Sequence, residues 1–183
     1  MNSGSRPVRH LTDTEVYELS RISSIAGFPA EYKRPSLHSD CVVRSSELGG
    51  KGLFATARIR RGEVILRADG EKFDRPVVYS YQIAEGVHTM GAGALNHSCD
   101  DPTCGLDAET GNLVTLVQVE PDDELNFNYL TTEWELSTPF TCRCGSTDCY
   151  TTIAGFSKLT PDQQLELARR LPVAEYIRAK IRE

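Results

Sequence analysis

The chain has 183 residues, 39% of them hydrophobic and 25% charged, which suits one soluble globular domain and is short for two. Its net charge of −6 argues against tight nucleic-acid binding, which needs a basic stripe on some face. No run of 18 apolar residues occurs, so no membrane span is expected, and the N-terminal residues show no apolar stretch of a secretory signal. An intracellular, reducing compartment is expected, in which clustered cysteines are more often metal ligands than disulfides.

Residues 1–10 read as a disordered lead-in. Leu11-Thr12-Asp13-Thr14-Glu15-Val16 then fits a capping box with a hydrophobic staple, and predicts a helix of about 14 residues ending near Gly27-Phe28-Pro29. From Cys41 the pattern changes. CVVRSS, GLFATA, EVILRA, LVTLVQV and ELNFNY are short β-rich segments separated by GG, RRG, DPT, ETG and EPDD turn signals. They predict a mainly β fold of small curved sheets. Helix returns at Thr160-Pro161-Asp162-Gln163, a cap signature with proline at the first helical position, and Leu165, Ala168 and Leu171 supply its expected apolar face. Pro172 restarts a second helix carrying Tyr176, Ile177 and Ile181.

Five of the six cysteines fall in two packets, NHSCDDPTC (96–104) and TCRCGSTDC (141–149). Cys142, Cys144 and Cys149 have the spacing of three thiolates around one ion, with Gly145 permitting the tight turn between them. Zinc in a structural site takes four tetrahedral ligands. No histidine is adjacent, so the fourth comes from elsewhere, with Cys99, Cys104 and Cys41 as candidates.

GGKGLFA (49–55), ALNHSCDDPTC (94–104), PDDELNFNY (121–129) and TCRCGSTDC (141–149) resemble, in order, the four signatures of the SET domain. The resemblance covers roughly residues 40–156. It implies small curved β-sheets wrapped around a pseudoknot, a zinc-binding post-SET segment, and S-adenosylmethionine-dependent lysine methylation. The implied division is a lead-in and helix over 1–39, a SET domain over 40–138, a post-SET zinc segment over 139–156 and C-terminal helices over 157–183. The family's fourth zinc ligand lies in the NHSC segment, which selects Cys99 to join Cys142, Cys144 and Cys149 and leaves Cys104 and Cys41 as packing residues.

The resemblance further implies that Gly50, Lys51, Gly52 and Leu53 hold the methionine part of the cofactor, and that Asn96 and His97 read its adenine and anchor the pseudoknot. Tyr129 also faces the cofactor and is the expected catalytic residue, and Phe156 is expected to close over it. Methyl transfer from a sulfonium needs in-line approach of a neutral amine, so a phenol that aligns the amine and an apolar channel that disfavours its charged form are the useful contributions. Phe127 matches the position at which phenylalanine leaves room for more than one methyl. Two departures stand out: Asp122 replaces a glycine and Asn128 an aspartate beside Tyr129. The short insert over 69–92 is expected to help define the substrate groove. The expected substrate is a lysine of a protein or peptide. An amine of a small metabolite and a catalytically silent scaffold are the alternatives.

Overall fold

The computed structural model describes residues 8–10, 33–48 and 50–181. The helix expected from Thr12 lies outside the described residues. The fold is mainly β, as expected. Strands β1 (Val8–His10), β2 (Ser36–His38), β3 (Cys41–Ser45), β4 (Lys51–Ala55) and β5 (Val64–Leu66) lead into β6 (Lys72–Phe73), β7 (Ser80–Ala84) and β8 (Val87–Met90). There follow β9 (Asn96–His97), β10 (Cys104–Leu106), β11 (Leu113–Thr115), β12 (Glu124–Phe127), β13 (Phe140–Thr141) and β14 (Thr152–Ile153). Two helices close the chain, α1 (Pro161–Arg170) and α2 (Glu175–Ile181).

The largest sheet runs β1-β2-β5-β11-β10-β12-β4-β3, with β9 also against β12. Most pairs are antiparallel, but β9 and β10 both run parallel to β12, through Asn126↔Asn96, Phe127↔His97 and Cys104↔Phe127. Strand β12 therefore gathers two sequence-distant segments, β9 and β10, at its C-terminal end, while β4 pairs with its first two residues. Its alternation explains this: Leu125 and Phe127 are buried, while Glu124 and Asn126 are half-buried toward the neighbouring loops. The insert forms its own sheet in the order β6-β8-β7, and β13 pairs with β14 around the cysteine knuckle. Leu37, Leu53, Ile65, Leu66, Leu113 and Leu125 fill the core at 1% exposure or less, each such burial contributing about 1.5–3 kcal/mol.

Three expectations meet the structure with different outcomes. The lead-in is not wholly unstructured, because Val8–His10 pairs antiparallel with Ser36–His38 as an edge strand. Three residues carry no readable pattern, and only the distant partner makes them a strand. The cap at Thr160 is present in full: Gln163 N donates to Thr160 Oγ1 and Thr160 N donates to Gln163 Oε1. The inward face of α1 is misphased, however. Leu165 is 45% exposed, and Leu167 is fully buried in its place. Successive steps of three drift back about 60° each on a helix of 3.6 residues per turn, so Leu165 cannot share a face with Leu171. Among the described residues, no helix is long and apolar enough to cross a membrane.

Candidate active site and metal centre

The site is built where the chain leaves β12. Asn128 is fully buried and caps a 3-10 turn over Tyr129–Thr131. Its Oδ1 accepts from Leu130 N at 3.0 Å, while its Nδ2 donates to the Cys99 carbonyl at 2.9 Å. An ionised aspartate could make the first bond and not the second. The departure at 128 is thus matched to the loop it holds. Asp122 takes up its glycine-like position at φ 71°, a left-handed conformation that aspartate tolerates better than most residues, and it pairs with Arg44.

His97 and Tyr129 tie the two segments together. Tyr129 N donates to His97 Nδ1 at 3.1 Å, which places the imidazole proton on Nε2. That nitrogen lies 3.1 Å from Cys99 Sγ and donates to it. Burial holds the imidazole down at about 3, so it is neutral. The Tyr129 hydroxyl donates to the Leu95 carbonyl at 2.6 Å, Ser98 N donates to Phe127 O, and burial raises the phenol above its ordinary range. Residues 95–99 and 127–130, two segments that the resemblance expects to meet, are thus bonded to each other.

Asn96, His97, Phe127, Tyr129 and Phe140 line one cavity of about 770 Å³, within the range of small-molecule and cofactor sites. The rings pack closely: Phe127–Tyr129 at 4.7 Å, His97–Tyr129 at 5.2 Å and Tyr129–Phe140 at 6.0 Å between centroids. Phe140 was not singled out in the sequence. Val77–Tyr81 of the insert also lines it, and Tyr79 there adopts φ 66°.

The glycine turn stands beside this cavity, with Leu48 rather than Gly50, Lys51 or Gly52 in its wall. Leu53 and Phe156 are fully buried in the core, and Phe156 stacks on Trp134. Asn96 connects the turn to the wall. Its Nδ2 donates to the Lys51 carbonyl at 3.0 Å and to Glu124 Oε1 at 2.6 Å, and Ser46 Oγ donates to Glu124 Oε2 at 2.9 Å. A Cβ at Gly52 would stand 2.3 Å from Glu124 Oε1, so a side chain there would push that carboxylate away from Asn96. Glu124 is a positioning residue that sequence reasoning passed over; its place three residues before Phe127 carried no signal of its own.

The four cysteines selected for a metal come together. The sulfurs of Cys99, Cys142, Cys144 and Cys149 all lie within 4.8 Å of one another. Cys99 stands 3.7 Å from Cys142 and 3.8 Å from Cys149. Four thiolates at about 2.3 Å around a tetrahedral zinc would be about 3.8 Å apart, so the donor set fits that ion. N–H groups of His97, Cys144 and Thr151 point at Cys99, Cys142 and Cys149, the second layer that tunes metal thiolates. Gly145 turns between the ligands at φ 76°. Cys41 and Cys104 are buried apart from the cluster. Cys142 and Cys144 also line the cavity, so the cysteine cluster and the pocket share a wall.

No family model matches the chain. Over 66 residues it is 42% identical to the methyltransferase flvH of Aspergillus flavus, a match covering 33% of this chain and 34% of that protein. The chain thus matches about a third of the length of that curated relative. In the solved structures it is similar to KRYPTONITE in complex with mCHG DNA and SAH, at 18% identity and a TM-score of 0.46, over 64% of this chain and 29% of that one. All four motif segments meet at or beside the cavity, three of them in its wall and the glycine turn joined to it through Asn96.

Proposed function

We propose that the chain is an S-adenosylmethionine-dependent N-methyltransferase that modifies a lysine ε-amine of a protein or peptide. The observation that carries this reading is the sharing of one cavity by Asn96, His97, Phe127 and Tyr129 with the cysteine cluster at its edge. The methyltransferase flvH supports the reading over the matched segment. When bound, S-adenosylmethionine would supply an electrophilic methyl group on a sulfonium. Asn96, His97 and Tyr129 would hold it, with Gly50, Lys51 and Gly52 shaping the adjoining edge. Phe127 and Phe140 exclude water from the amine and disfavour its protonated form. The Tyr129 oxygen, its proton directed at Leu95 O, offers its lone pairs to an amine N–H and aligns the nitrogen. The cysteines would hold a structural zinc that keeps the Cys142–Cys144 wall against the His97 loop. A small-metabolite amine fits the same chemistry.

Asn96→Ala tests the placement of the cofactor. It removes both the cavity amide and the strut to Lys51 and Glu124, so S-adenosylmethionine affinity is expected to fall at least about tenfold, the equivalent of one charge-assisted hydrogen bond. Calorimetry on the two proteins measures this. Equal affinity in both would contradict the placement.

A further inference from the structure

Glu133 lines the same cavity as Tyr129 and Phe127 and is 5% exposed. Its Oε1 accepts from Gln82 N at 2.7 Å and faces Thr132 Oγ1 at 3.4 Å. Among the described residues its Oε2 makes no hydrogen bond, and His88 Nδ1 stands 3.8 Å from it, too far for one. That nitrogen is itself buried without a partner. Among the described residues no lysine or arginine comes within ion-pair reach of the carboxylate. Folding does not account for this group: a glutamine would accept from Gln82 N equally well and avoid the cost of a buried charge. The second oxygen and the charge are left for something that enters the cavity.

We propose that Glu133 is the anionic end of the substrate channel, whose Oε2 receives the primary alkylammonium group of the substrate and accepts one proton from it. This rests on the methyltransferase reading. The N–H bond of R–NH3+ breaks with its electron pair left on nitrogen, and the proton joins the carboxylate, giving R–NH2 and a neutral acid. That pair then forms the N–C bond as the methyl leaves the sulfonium, the C–S electrons staying on sulfur. The positive charge passes to the methylated amine. Burial pushes Glu133 up to about 8, near the range in which a general base is most effective. At pH 7.5 part of the population is thus ionised, and an entering ammonium draws the rest into the charged form. The titratable groups facing it are His88 from β8, Tyr129 from the turn after β12 and Tyr176 from α2. Burial lowers the histidine and raises both phenols, so all three are neutral near pH 8.

Trp134, the single tryptophan, follows Glu133 directly and reports on it by fluorescence. With n-hexylamine and n-hexanol as probes, Glu133→Gln is expected to weaken amine binding about tenfold or more and to leave the alcohol unchanged. Equal loss of both, or of neither, overturns the proposal. In methyl transfer to n-hexylamine and to a lysine peptide, which distinguish a free amine from a peptide source, the variant should lose about 10²-fold in kcat/KM at pH 7.5. That gap should narrow toward pH 10 as free amine becomes abundant; a constant gap overturns the proton-accepting role. Thermal melts confirm that the variant folds. If the wild type methylates neither probe yet binds the amine through Glu133, the amine site stands and the methyltransferase reading falls.

Discussion

Tyr129→Phe is expected to lose about 10²-fold or more in kcat while binding S-adenosylmethionine as well as the wild type does. The ring is held by Phe127, His97 and Phe140, all of which a phenylalanine would still meet. The one bond removed is the 2.6 Å donation to the Leu95 carbonyl, worth about 0.5–1.5 kcal/mol of stability. What disappears is a neutral oxygen fixed in direction. Its proton is committed to Leu95 O, so the lone pairs point where an amine N–H must be aligned. An interaction strengthened in the transition state appears in kcat rather than in cofactor affinity. Steady-state kinetics and calorimetry on the same preparation separate the two. Parallel losses in both would show that the hydroxyl serves packing or binding instead.

The second large effect concerns the metal. Elemental analysis is expected to find one zinc per chain, and Cys99→Ser or chelation to remove it. Cys99 belongs to the NHSC loop and the other three ligands to the β13–β14 knuckle, so one ion fastens two segments that flank the cavity. Without it four buried or half-buried thiols face one another with no cation. A site of this type carries folding free energy directly. A loss of several kcal/mol in a chain this long corresponds to a Tm fall on the order of 10 °C. Cys104→Ser, buried outside the cluster at 1% exposure, should leave the zinc count at one. Intact stability in the chelated protein would show the cluster to be ordinary thiol packing.

What could be read from the residues alone was local or was carried by tight packets. The capping box at Thr160, the glycine turn at Gly145 and the cysteine spacing each fit inside eight residues, and each appears as expected. The residues that escaped notice act across long separations. Glu124 meets Asn96 and Ser46, Glu133 meets Gln82 and His88, and Phe140 meets His97. No short window contains both partners of any of these pairs. Asn128 was legible only as a lost charge, because its second bond goes to a carbonyl 29 residues away. The apolar face of α1 failed for another reason: Leu165, Ala168 and Leu171, spaced by three, look aligned in a sequence and drift on a helix.

Methyl transfer itself tests the central claim most directly. Purified protein loaded with zinc, given methyl-labelled S-adenosylmethionine and offered histones, cell extract and an amine metabolite fraction, is expected to label an amine in at least one of them. The label should depend on Tyr129 and resist mild acid and base as an N-methyl group does. Cofactor binding with no label in any pool, in a protein retaining its zinc, would contradict the account and leave a cofactor-binding scaffold without catalysis.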